Sequence, residues 1–136
     1  WEVRLADFGS AKELQDMHTM TGENRTMIGS PYWMAPEVIQ AQGYGRKADV
    51  WSLGCTVFEM MTGRPPWAHL DHGLTVIFHI ATGKSDPVWP EPPRASEDCV
   101  DFMKMCMARD PGRRPASHDL DGHPWLKPAV APEERS

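Results

Sequence analysis

The stretch from Lys47 to Thr62 constrains this 136-residue chain more than any other. Val50, Trp51, Leu53, Val57, Phe58, Met60 and Met61 leave it almost no polar face. Gly63 follows as a C-terminal cap, and Arg64-Pro65-Pro66 then forbids continuation, because proline lacks an N–H and clashes with the preceding turn. A helix apolar nearly all round is expected where neighbours cover it on all sides. The spacing predicts a domain organised around one buried central helix.

The flanking segments supply candidate neighbours. Leu74, Ile77, Phe78 and Ala81 recur at i, i+3, i+4 and i+7, and Gly83 ends the pattern, which predicts a short amphipathic helix. Residues 86–94 hold four prolines and read as an irregular loop. Ser96 is a natural N-cap, with Glu97 and Asp98 in the first turn, where the helix dipole favours acids. Cys99, Phe102, Met103, Cys106 and Met107 then form a stripe of helical period, so both cysteines should face the core. A last short helix is expected from Ser117, and 128–136 reads as a flexible tail. Near the other end, 2–6 alternates polar and apolar like a short strand, with a second through Ala11 and Leu14. Pro36 suits the first position of a short helix reaching about Gln40. The fold expected is mostly α, with a strand pair at the N-terminal edge.

Between Gln15 and Ile28 neither a helical nor a strand period is found, and the composition is that of a surface loop. A structureless run of that length suggests function rather than mere connection. Charge narrows the function further. Fourteen Lys and Arg against nineteen Asp and Glu give a net charge of −5, with no basic block for nucleic acid. No apolar run approaches the roughly 18 residues needed to cross a bilayer, so no membrane partner is expected. Three cysteines without a C-x-x-C pair read as reduced thiols in a cytoplasmic protein. His69 and His72 carry the one ligand-like histidine spacing, and no zinc is expected there.

The order of the remaining features is more specific. Asp7-Phe8-Gly9 follows the first strand, and Ala35-Pro36-Glu37 opens a short helix after an irregular segment. Asp49-Val50-Trp51-Ser52-Leu53-Gly54 heads the central helix, and Arg109-Asp110-Pro111-Gly112-Arg113-Arg114-Pro115 comes near the end. Together, in this order, these motifs resemble the C-terminal lobe of a protein kinase catalytic domain over nearly the whole chain. The wording Gly29-Ser30-Pro31-Tyr32-Trp33-Met34-Ala35-Pro36-Glu37 and Gly43-Tyr44-Gly45-Arg46-Lys47-Ala48-Asp49 is similar to the sterile-type serine/threonine kinases. Among these it resembles the MEKK-like mitogen-activated protein kinase kinase kinases.

The resemblance implies roles for individual residues. Asp7 would hold Mg²⁺ against the phosphates of ATP, with Phe8 packing beside it and Gly9 giving the backbone its freedom. Phe8 is otherwise a core aromatic. Thr26, then Thr21 and Thr19, are the candidate activating phosphosites, where a phosphate adds about −1.5 to −2 charges. Ser30 would line the substrate slot, and Tyr32, Trp33 and Met34 would wall it. Glu37 and Arg114 would form a buried ion pair, and Asp49 would hold the catalytic-loop backbone or simply favour its helix dipole. A protein substrate of the MAP kinase kinase type is implied, with activation by an upstream kinase or by autophosphorylation.

Other kinase parts are not found here. No His-Arg-Asp-x-x-x-x-Asn, Gly-rich loop or phosphate-gripping strand lysine occurs, so the general base is expected before Trp1. The chain therefore reads as 1–127 of a kinase C-lobe plus a tail, inactive alone. Missing neighbours would uncover about four large side chains of the central helix, at about 1.5–3 kcal/mol each. The competing readings are a pseudokinase-type binding or scaffold module and a different sterile-type branch.

Overall fold

The central helix dictates how everything else is arranged. In a computed structural model, which describes residues 2–11 and 31–127, the helices are α1 (Pro36–Ile39), α2 (Arg46–Thr62), α3 (Gly73–Thr82), α4 (Glu97–Cys106) and α5 (Ser117–Leu120). Helix α2 ends as its sequence requires: Gly63 turns left-handed at φ 78° and donates its N–H to the Glu59 carbonyl.

Two faces of α2 are buried against different partners. Val50, Val57 and Phe58 join Cys99, Phe102, Met103 and Cys106 of α4 and Leu120 of α5. Trp51 and Cys55 join Ala35, Trp67, Val76, Ile80 and Met107. The third face departs from the expectation of a helix covered all round. Asp49, Leu53, Thr56 and Met60 form one exposed stripe, with Met60 70% accessible. An apolar composition shows that a face can be buried, not that a neighbour is present, and two large side chains rather than about four are uncovered on α2.

Helix α4 matches its pattern closely. Ser96 Oγ accepts the Cys99 N–H at 3.2 Å, and Cys99, Phe102, Met103 and Cys106 are all buried. Its backbone approaches α2 at Gly54, where an added Cβ would lie 2.7 Å from Cys106 Cβ and 2.8 Å from Met107 Cγ. Helix α3 forms where expected but is rotated. Val76 and Ile80 face the core, whereas Leu74 and Phe78 of the expected stripe point outward. Both i, i+4 pairs are apolar in sequence, and only the fit against Trp67 and Ala35 selects between them. The Phe78 ring instead lies under the Lys84 ammonium, 5.6 Å from its centroid.

The N-terminal edge is also corrected. No strand forms among the described residues, and Val3 and Leu5 are exposed, since alternation makes a strand only where a ladder partner is present. The second expected strand lies largely outside the described residues, as do the Gln15–Ile28 loop and the 128–136 tail. Among the described residues no helix is long and apolar enough to cross a membrane, and no three His, Cys, Asp or Glu side chains gather as a metal site.

Two outcomes follow from the α2–α4 contact. Gly54→Ala must push the helices apart and should lower stability by about 1–3 kcal/mol in urea unfolding. Burial pushes the Cys106 thiol from its ordinary 9.0 up to about 12 and raises Cys55 as well, with Arg114 pulling both partly back. The unfolded chain releases these protons above pH 9 while the folded chain keeps them. Stability should therefore be full below pH 9 and fall as pH rises from there toward 12. A melting-temperature series across that window checks it, and neither thiol should react with Ellman's reagent at pH 8 while the chain is folded.

Candidate functional site

The candidate residues fall in two segments, of which the second is anchored to α2. The first begins at Asp7, whose backbone is left-handed at φ 64° and ψ 66°. A non-glycine residue in that region stores strain of about 1–3 kcal/mol, and such strain collects at functional positions. Phe8–Ser10 follows as one 3₁₀ turn, closed by the Ala11 N–H on the Phe8 carbonyl. The Asp7 carboxylate is exposed and makes no hydrogen bond or ion pair among the described residues. An unshared anionic oxygen pair is suitable chemistry for a hard cation such as Mg²⁺. Phe8 is 68% exposed, not the core aromatic expected, because none of the described core clusters reaches it.

The second segment is Pro31–Glu37. Pro31–Trp33 forms a 3₁₀ turn that packs on α2 and α3. Ser52 of α2 donates its hydroxyl to the Trp33 carbonyl at 2.8 Å, and the Trp33 indole donates to Glu59 at 3.1 Å. Tyr32 meets Trp33 edge-on at 5.8 Å. Met34 and Ala35 are buried, so the turn is pinned from beneath while Tyr32 and Trp33 stay half-open. Ser30, Thr19, Thr21 and Thr26 lie outside the described residues. Asp49 sits exposed in the first turn of α2, where the helix dipole favours it.

Beneath this segment the structure brings Glu37 and Arg114 together across 77 positions. The guanidinium is fully buried, and its two terminal nitrogens meet the two carboxylate oxygens at 2.7 and 3.2 Å. Its other N–H groups donate to the carbonyls of Ala108 (3.0 Å), Lys47 (2.6 Å) and Arg109 (3.4 Å). All five guanidinium donors are thus used, the condition under which a buried charge is tolerable. Lys47 returns the contact, its ammonium donating to the Arg114 carbonyl at 2.6 Å, and the Trp51 ring lies 5.3 Å from the guanidinium carbon.

Three supports escaped the sequence reading. Arg109 donates to the last carbonyls of α3, those of His79 and Ile80, and so caps that helix; a basic residue near a distant helix end has no local signal. Gln40, the C-cap of α1, donates to the Ala81 carbonyl at 2.7 Å, tying α1 to α3. His123 is buried against Phe102, accepts the Trp125 N–H at Nδ1 and therefore donates from Nε2 to Asp101 at 3.1 Å. The short His-Pro-Trp run before its 3₁₀ turn was the available signal for that cap.

A pinned aromatic turn and a buried fork are thus mounted on one apolar helix, α2, and a left-handed aspartate lies near the start of the same chain. The protein kinase domain family matches residues 1–126, and the chain belongs to that family. Its relatives carry the MEKK-like resemblance further. It is 44% identical over 124 residues to mitogen-activated protein kinase kinase kinase 2 of Arabidopsis thaliana, covering 91% of this chain and 19% of that protein. It is 45% identical over 128 residues to mitogen-activated protein kinase kinase kinase 19 of Mus musculus, covering 92% and 10% respectively. Mitogen-activated protein kinase kinase kinase A of Dictyostelium discoideum is 41% identical over 124 residues, covering 91% and 13%. The chain spans about a fifth or less of the curated relatives named here.

Removing the fork's cation tests its weight. Arg114→Ala would leave Glu37 buried without its partner and should cost about 3–5 kcal/mol. Arg114→Lys should recover only part, since one ammonium cannot reach five acceptor directions. Chemical denaturation of the two variants beside the parent checks both.

Proposed function

We propose that this chain is part of an ATP- and Mg²⁺-dependent serine/threonine protein kinase acting in a MAP kinase cascade, with a MAP kinase kinase as its protein substrate. The observation that carries the reading is the strained, solvent-facing Asp7 carboxylate in a chain whose residues 1–126 match the protein kinase domain family. A bound Mg²⁺ would neutralise charge on the transferring phosphate. Asp7 would hold that ion, its carboxylate having no competing partner among the described residues. Ser30, Tyr32 and Trp33 would receive the acceptor peptide. Their slot is kept in place by Ser52, Glu59 and the Glu37–Arg114 fork, which is how positioning energy would reach the reaction.

Phosphate on Thr26, or else Thr21 or Thr19, would regulate the site by adding negative charge to the segment between Asp7 and Ser30. An upstream kinase or autophosphorylation would supply it. The reading assigns the general base to residues outside this chain, so residues 1–136 alone are inactive in phosphoryl transfer. A cytoplasmic location follows from the substrate proposed.

In the full-length protein, Asp7→Asn should lower phosphorylation of a MAP kinase kinase by on the order of 10²-fold or more, with the melting temperature unchanged. Thr26→Ala should lower activity and Thr26→Glu should restore part of it. Residues 1–136 incubated with Mg-ATP and a Ser/Thr peptide panel should give no turnover. A full-length protein that binds its partners yet transfers no phosphate would replace the kinase reading with a scaffold of the same fold.

A further inference from the structure

An open cavity of about 550 Å³ lies between the end of α2, the bend that follows it and the proline loop before α4. That volume is within the range, about 300–1,000 Å³, in which proteins hold a small ligand or a few side chains of a partner. Phe58 and Trp67, both buried, form its floor, while half-buried Trp89 and exposed Val88 form its wall. Both indoles are held from behind. Trp67 stacks on Trp51 at 6.3 Å and donates its indole N–H to the Ser85 carbonyl at 3.1 Å. Trp89 meets Phe58 edge-on at 6.0 Å and carries the Lys104 ammonium 5.7 Å from its ring centroid. Walls fixed in this way need little ordering when something binds.

The backbone around the cavity limits what can bind. Pro65, Pro90, Pro92 and Pro93 line it and offer no N–H, so a ladder of main-chain bonds to an added strand is not available. Recognition must come from side chains. The rim supplies charge: Arg64, Arg94 and His69 are exposed there against a single acid, Glu91. Neither arginine side chain has an ion pair or hydrogen bond among the described residues. In a chain of net charge −5, two arginines flanking an aromatic slot are a local reversal of sign, which favours an anionic partner.

We propose that this cavity docks a segment of a partner protein in which one or two aliphatic or aromatic side chains are flanked by acidic residues. The apolar anchor rests against Trp89 and Val88, and the flanking carboxylates meet Arg64 and Arg94 at the rim. Proline rigidity and the pinned Trp89 indole select the anchor, while the arginines select the sign of its flanks. The cavity is separate from Asp7 and from the Pro31–Trp33 turn, so docking here adds a contact outside the phosphoryl-transfer site.

The test reads binding without nucleotide, so its failure leaves the kinase reading untouched. The probe is a fluorescein-labelled peptide with a Leu-Pro-Leu centre and two Glu on each side, titrated into the full chain and followed by anisotropy. Binding should weaken about tenfold in the Arg64→Glu, Arg94→Glu double variant, strengthen in Glu91→Arg and fade as salt is raised. A peptide with Lys in place of Glu should not bind. These three rim residues are exposed, so their variants should keep the parent's circular dichroism and melting temperature. Equal binding by the Lys peptide, binding indifferent to the arginine swap, or a slot filled by a second copy (seen as a dimer in sedimentation) would each overturn the proposal. So would no binding at all.

Discussion

Arg114 imposes more order on this molecule than any other side chain. A guanidinium with no access to water is tolerable only if every N–H finds an acceptor. That requirement is met by five oxygens drawn from Glu37, Lys47, Ala108 and Arg109. The start of α1, the start of α2 and the turn after α4 must therefore converge on one point. Once they do, Ala35 is buried and the Pro31–Trp33 turn comes to rest on Ser52 and Glu59. A pair of charges thus sets where an aromatic surface sits.

Helix α2 supplies the apolar counterpart. It separates two clusters that share no buried residue, one gathered by α4 and one by α3 and Trp67. Its glycine at 54 lets α4 approach closely on one side, and its paired indoles, Trp51 on Trp67, fill the other. The third stripe, from Asp49 to Met60, stays open. Among the described residues Leu53 and Met60 leave apolar surface uncovered on that stripe of the central helix.

Much of the scaffold was legible before the structure. Ser96 capping α4, Pro36 opening α1 and Gly63 ending α2 are local events, decided by which atoms lie within four residues. The stripe of Cys99, Phe102, Met103 and Cys106 was equally plain, because on that helix apolar residues occupy a single face. On α3 they do not, and the sequence favoured Leu74 and Phe78 while packing chose Val76 and Ile80. The N-terminal alternation was read as a strand, yet alternation specifies a face only when a neighbouring strand exists.

What the amino-acid sequence determined by itself is therefore the set of short-range choices: helix starts, helix stops, the central apolar run, and motifs in an order that resembles a protein kinase. Tertiary structure alone decided which faces are covered and how Arg109 closes α3. It also decided that the Phe8 ring stands in solvent. The division has a physical cause. Caps and breakers act through bonds a few atoms away, whereas burial and buried charge depend on partners tens of residues distant, whose position no local pattern encodes.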